Sequence, residues 1–298
     1  MQSALLIVPD FALVLLGFGL RRVLQLGDHF WSGLEKLIYL VLFPALLFNA
    51  LAKSHIDFRA AAPLVACGLT ALGTGMALGL LARPLFGQKP IAFASQFQCA
   101  FRYNSYIGLA VAGKLYGVAG IAAMGILVGT MVPVANLAAV WMLARHGNTR
   151  LLSELARNPL ILATLAGLAF NGLGLALPAP AAQFLGRLAE ASIALGLLAV
   201  GAALRLRGNA GNHLPGIYLL AVKHLALPAA SWAAASFLGL PSLYFHIAVI
   251  FAALPTATSA YILAVRMGGD GPGTAWLISA STLAGMLTLP MWLMAIGP

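Results

Sequence analysis

The sequence predicts an all-α integral membrane fold: ten transmembrane helices forming two inverted five-helix repeats, with helices four and nine discontinuous and crossing at mid-membrane. Three observations carry this: an apolar composition, ten apolar runs of spanning length, and an internal repeat whose unit holds an odd number of those runs. Of 298 residues, 61% are hydrophobic and 8% charged, far from the balance of a soluble globular chain. The net charge of +10 raises nucleic acid as a partner, but the bases stand singly or in pairs between apolar runs. No stretch interleaves bases with aromatics over a continuous polar surface, which excludes nucleic acid. Cys67 and Cys99 both fall in apolar runs, which points away from a disulfide framework or a zinc site. No cofactor and no metal is expected.

A helix crossing the hydrocarbon core needs roughly 20 apolar residues. The runs lie at about 3–20, 34–52, 60–82, 91–113, 117–143, 158–177, 182–204, 214–237, 243–267 and 273–296. The first opens at Ser3 without a basic segment before it and more spans follow, so it reads as a retained helix, not a cleaved signal. Connections are short, the longest polar stretch being about 144–157, and they leave no room for a soluble domain. The expected division is 1–145 for the first five spans, 146–157 for a cytoplasmic linker and 158–298 for the second five.

Orientation follows from loop lysines and arginines. Arg21, Arg22, Lys36, Arg83, Lys89, Arg145, Arg150, Arg157, Arg205, Arg207 and Arg266 flank one side, against Lys53, Arg59, Lys114 and Arg187 on the other. The first side is expected to be cytoplasmic, which places both termini outside.

The repeat appears as a constant offset. Pro9 and Gly17 recur as Pro159 and Gly167, LEKL at 34 as LGRL at 185, and Pro63 as Pro215. PLFG at 84 faces SFLG at 236, AGKLYG at 112 faces AVRMGG at 264, and Trp141 faces Trp292, so the offset stays between 150 and 152. Five spans per unit force the second copy to enter the membrane from the opposite side, the inverted architecture of many secondary transporters.

Within the fourth span, FRYNSYIGLAVAGKLYG (101–117) sets Arg102, Asn104 and Ser105 where lipid-facing residues would stand. By the offset Asn104 maps onto Pro255 or Thr256 of the ninth span, in IFAALPTATSAYILAVRMGGD. Pro255 removes one N–H and clashes with the carbonyl of Phe251, and Thr256, Thr258 and Ser259 can pair with the freed groups. Matching mid-membrane interruptions in inverted repeats point to a substrate site. Two crossed breaks would aim positive half-helix ends at one point, which suits an anion. Asn104, Ser105, Pro255 and Thr256 are therefore the expected substrate contacts. Arg102, about 200° from Asn104 on a regular helix, is expected to set local potential or pair within the bundle.

The same stretch resembles the fourth-helix signature of the auxin efflux carrier family, in which Arg-x-Asn-Ser/Thr precedes a glycine-rich apolar run. LEKLIYLVLFPALLFNALAKS (34–54), RNPLILATLAGLAFNGLGLALP (157–178), AVKHLALP (221–228) and FAALPTATSAYILAVRMGGD (251–270) resemble the family's segments in order. The resemblance covers nearly the whole chain. It implies ten helices in two inverted repeats with helices four and nine crossing at the substrate, and export or exchange of organic anions. In the family these include auxin in plants and malonate- or malate-type dicarboxylates in bacteria. Asn104 matches the family's crossover asparagine and Pro255 its crossover proline; Tyr103 stands where relatives often carry a small residue. The length and the absence of a central loop suggest a bacterial member, in the cytoplasmic membrane. Its partners would be a small organic anion and membrane lipid, with a homodimer left open.

Few other ionisable residues lie in spans. Lys223, about ten residues into the eighth span, is too deep to snorkel and could neutralise a substrate carboxylate or titrate during transport. Glu190 in the seventh span is the most available acid for a structural ion pair with it. His224, one residue on, points about 100° away on a regular helix. Asp10 and His246 read as solvated near the outer surface, Asn49 as a helix–helix hydrogen bond, and the GxxxG pairs Gly75–Gly79 and Gly125–Gly129 as close helix packing.

HExxH, GxSxG, Walker A and GxGxxG patterns are absent, so an enzyme is not expected. Two rivals to an anion carrier stay open. One is an anion channel, since broken helices also line pores. The other is a sodium-coupled bile-acid-type symporter of the same crossed-helix plan, against which stands the lack of any mid-span Asp or Glu in spans four and nine.

Overall fold

The computed structural model describes residues 8–53, 58–144, 159–205 and 213–297. The expected linker at 146–157 lies outside them. Among the described residues every regular element is helical. In chain order these are α1 (Val8–Val23), α2 (Asp28–Lys53), α3 (Phe58–Phe86), α4 (Pro90–Phe97) and α5 (Ser105–Ala144). Then come α6 (Pro159–Gly172), α7 (Ala179–Ala202), α8 (Leu214–Phe237), α9 (Ser242–Ala253), α10 (Ser259–Arg266) and α11 (Gly271–Ile296). All ten expected spans contain helix, but among the described residues six continuous stretches are long and apolar enough to cross a membrane unaided. One of these, Pro90–Leu143, counts 54 residues. As a straight helix it would run about 80 Å against a hydrocarbon core of about 30 Å. It is interrupted twice: after Ala100, and at Gly117, whose φ of 58° and ψ of −141° break the helix. Gly120 completes that turn, since a Cβ there would strike Ala112 O.

Two prolines reshape their helices. Pro44 and Pro228 each follow a π turn, at Ile38–Leu42 in α2 and Val222–Ala226 in α8. In α8 the missing N–H of Pro228 leaves the carbonyl of His224 without its i+4 donor. The Trp292 indole of α11 supplies one instead, with Nε1 donating to His224 O at 2.9 Å.

The most extensive helix contacts join α1 to α7 and α2 to α6. Both depend on small residues that let backbones meet. A Cβ on Gly17 would strike Leu198 O, one on Gly201 would strike Val14 O, and one on Gly167 would crowd Phe48 and Leu51. The GxxxG glycines also sit at helix contacts, Gly75 and Gly79 against the end of α4, Gly125 and Gly129 against Leu47 and Thr164. The expected interhelical bond of Asn49 is not seen for its Oδ1, which is buried without a partner; Asn171 Nδ2 donates to Leu51 O at 3.0 Å instead. Large apolar side chains such as Leu15, Leu137, Leu165 and Leu287 face outward, as lipid-exposed surfaces require.

Left-handed backbone marks helix ends and turns at Gln25, Gly87, Gly117, Gly174, Gly239 and Gly268. Gly87 and Gly239 stand 152 apart, Gly117 and Gly268 151, and Gln25 and Gly174 149.

Candidate functional site

Both expected breaks are present and they touch. After α4, a 3-10 turn at Gln98–Ala100 ends in Phe101 at φ −130° and ψ −19°, and helix resumes only at Ser105. After α9, Leu254 turns extended at φ −60° and ψ 142°, and helix resumes at Ser259. The cause is Pro255, which offers no N–H to the carbonyl of Phe251. Asn104 N–H donates to Pro255 O at 2.8 Å, and Thr256 Oγ1 donates to Cys99 O at 2.9 Å. The ring of Pro255 lies against Gly285 of α11, where a Cβ would crowd it. Asn104, Pro255 and Thr256 are all buried, and Ser105 beside them is half-buried.

A cavity of about 150 Å³ opens at this crossing, lined by Arg102, Asn104, Ser105, Asn136, Thr258 and Ser259 with the aromatic rings of Tyr39, Tyr103 and Tyr106. Asn104 caps α5: its Oδ1 accepts from Tyr106 N at 3.0 Å and Ile107 N at 3.3 Å. Those backbone N–H groups are taken by the asparagine itself and are not free for a substrate. What remains is the amide Nδ2, buried and without a hydrogen-bond partner. Arg102 donates Nη1 to Ser259 Oγ at 2.9 Å and Nη2 to Asn136 Oδ1, while its buried Nε has no partner. The expected 200° separation of Arg102 from Asn104 fails. The residues from Phe101 to Asn104 are not helical, and both side chains line one cavity.

The electrostatics of the cavity have one sign. No acid lines it, the hydrogen-bond partners of Arg102 are neutral side chains, and the N-terminal ends of α5 and α10 both open onto it. Such ends carry about half a positive charge each. Two unsatisfied buried donors, one of them the guanidinium's own Nε, make a site for an anion with paired acceptor oxygens. Through Thr258 the cavity adjoins a second one of about 200 Å³, which reaches Arg21, Asp28, Trp31, Glu35 and Arg205.

Lys223 and His224 are both buried on the π turn of α8. Lys223 Nζ donates to Ala252 O in the last turn of α9 at 3.3 Å. Glu190 does not join it: that carboxylate is on an exposed face of α7, and the ion pairs of the described residues are Arg21–Asp28 and Lys114–Asp10. His224 is tied to the crossing rather than turned from it. Thr256 N–H donates to Ser281 Oγ at 2.9 Å, and Ser281 Oγ is 2.9 Å from His224 Nε2. Thr288 Oγ1 donates its own proton to Ala284 O at 3.1 Å, which assigns His224 Nδ1–H as the donor to Thr288 Oγ1 at 2.9 Å and leaves Nε2 to accept from the Ser281 hydroxyl. Asp10 and His246 are half-buried rather than solvated, Asp10 against Lys114 and His246 against the Tyr116 hydroxyl.

Sequence reasoning missed Asn136, Ser281 and Gln98. A lone polar residue inside an apolar run was the available signal for Asn136 (in VPVANLAAV) and for Gln98 (in ASQFQCA). Gln98 donates Nε2 to Ala260 O at 3.1 Å, joining α10 to the end of α4.

Known proteins of similar sequence are transporters. A family model described as "Membrane transport protein" matches residues 143–293. An "Uncharacterized transporter" of Methanothermobacter thermautotrophicus is 24% identical over 296 residues, 98% of each chain. A "Putative malonate transporter" of Rhizobium meliloti is 25% identical over 292 residues, 88% of this chain and 86% of that one. The family and both relatives are transporters rather than enzymes. The chain belongs to the membrane transport protein family, that of the auxin efflux carriers, and is a multi-pass membrane protein.

Proposed function

We propose that this protein is a secondary carrier that exports or exchanges small organic anions, carboxylates foremost, across the cytoplasmic membrane of a bacterium. The observation that carries the reading is the pair of unpartnered buried donors, Arg102 Nε and Asn104 Nδ2, on two residues that line one acid-free cavity. Its volume of about 150 Å³ is below the roughly 300–1,000 Å³ of sites for drug-sized ligands, which favours a compact substrate. The relative named for malonate supports a dicarboxylate. Asn104 and Arg102 bind the carboxylate, Ser105 and Thr258 complete the wall, and Pro255 and Thr256 hold the crossing open.

The carrier is built as ten spans in two inverted repeats, with both termini outside. Three observations support the repeat. Six of the seven left-handed positions among the described residues pair at offsets of 149 to 152, Gly297 being the exception. The contact of Gly17 with Leu198 has its mate in Gly167 with Phe48, each residue moved by 150. And the two breaks, Asn104 and Pro255, are mates that bond each other. The adjoining cavity toward Arg21 and Arg205 gives the substrate a route to the basic, cytoplasmic side.

The test is counterflow. Proteoliposomes loaded with unlabelled malonate should transiently accumulate labelled malonate above equilibrium, saturably. Equilibration without overshoot, or unitary currents in planar bilayers, would favour the channel.

A further inference from the structure

The break in α9 frees carbonyls as well as N–H groups. In an unbroken helix Ala252 O would accept from Thr256 N–H, and Phe251 O from residue 255. Pro255 has no N–H, so Phe251 O is left with Leu254 N–H at 3.4 Å, and Thr256 N–H is diverted to Ser281 Oγ, which frees Ala252 O. The C-terminal end of α9 therefore presents backbone oxygens with the negative half-charge of a helix end. They lie in the protein interior, where Ala252 and Ala253 are 1% and 0% exposed. An interior cluster of this kind calls for a positive charge. In sodium-coupled carriers the carbonyls of discontinuous helices coordinate the travelling cation.

Here that position is taken by the chain itself. Lys223, 1% exposed, reaches across from α8 and donates Nζ to Ala252 O at 3.3 Å. No described carboxylate pairs with it. The π turn at Val222–Ala226 makes this placement possible, because it sets both Lys223 and His224 inward on adjacent positions. Lysine and histidine thus attend the two consequences of one break: Lys223 the freed carbonyl, and His224, through Ser281, the diverted N–H.

We propose that Lys223 is a resident cation, its ammonium standing where a coupling Na⁺ would bind, and that removing it exposes a monovalent-cation site at the end of α9. This rests on the carrier reading above. In the wild type the ammonium balances the freed carbonyl on every cycle, so no inorganic cation is needed there. In Lys223→Ala the oxygens and the space of the missing stem remain. Na⁺ can fill the first, and propylammonium, which replaces the removed stem and charge, can fill both.

The experiment compares thermal unfolding of purified wild type and Lys223→Ala in choline, sodium and propylammonium chloride at equal ionic strength. No transported anion is present, so the outcome does not depend on malonate being a substrate. The wild type should unfold at the same temperature in all three salts. Lys223→Ala should unfold several degrees lower in choline, recover most of that loss in propylammonium, and recover part of it in sodium. A variant indifferent to the three cations, or a wild type stabilised by sodium, would overturn the proposal. If Lys223→Ala does not yield folded protein, Lys223→Met keeps the stem and loses the charge. Stabilisation of Lys223→Met by sodium over choline is then expected, and indifference overturns the proposal in the same way.

Discussion

Asn104→Ala removes two functions that the structure separates. The side-chain oxygen caps α5 through Tyr106 and Ile107, while the amide nitrogen is left over for a ligand. Loss of an asparagine cap costs about 0.5–2 kcal/mol of stability. Loss of a hydrogen bond to a charged partner costs about 1.5–3 kcal/mol, which is roughly a 10- to 150-fold rise in Kd. Asn104→Asp divides the two. Aspartate caps a helix about as well as asparagine, but it offers no amide donor and opposes an anion in the cavity. Thermal unfolding reads the first effect and isothermal titration with malonate the second, on the same preparations. Asn104→Ala should lose both stability and affinity. Asn104→Asp should stay closer to the wild-type unfolding temperature and still bind malonate at least tenfold more weakly. Wild-type affinity in Asn104→Asp would refute the assignment of the free amide to the substrate.

The remaining predictions concern assembly. Gly201→Val drives a branched side chain into Val14 O where α1 and α7 meet backbone to backbone, so it should abolish or sharply reduce the yield of monodisperse protein; an unchanged yield would contradict that packing. Reporter tags on the two termini should both read the non-cytoplasmic side, as the distribution of loop bases requires. A cytoplasmic reading from either end would break the span count or the orientation.

The places where sequence and structure part company have physical causes. The crossing was legible because a proline in IFAALPTATS and an asparagine in FRYNS are costly in a span and stand apart by the same offset as the other sequence matches. The contents of the cavity were less so. Periodicity assumes a regular helix, and the unwound residues from Phe101 to Asn104 void that assumption, bringing Arg102 and Asn104 to one cavity. His224 was misplaced for a similar reason. A 100° step per residue does not hold through a π turn, and that turn sits just ahead of Pro228. Glu190 looked like the counter-charge of Lys223 only because acids are scarce; α7 packs chiefly against α1 and α2, and nothing in a sequence says which neighbours a helix takes. The freed carbonyl of Ala252 was invisible, because its usual donor is withdrawn by Ser281, a residue 25 positions away.

The account turns on where the carboxylate sits. A structure of the protein with a bound dicarboxylate, malonate first, measures that directly. The ligand should lie in the cavity at the crossing, one carboxylate within hydrogen-bond distance of both Asn104 Nδ2 and Arg102 Nε. Ligand density elsewhere, with those two donors still unpartnered, would contradict the account.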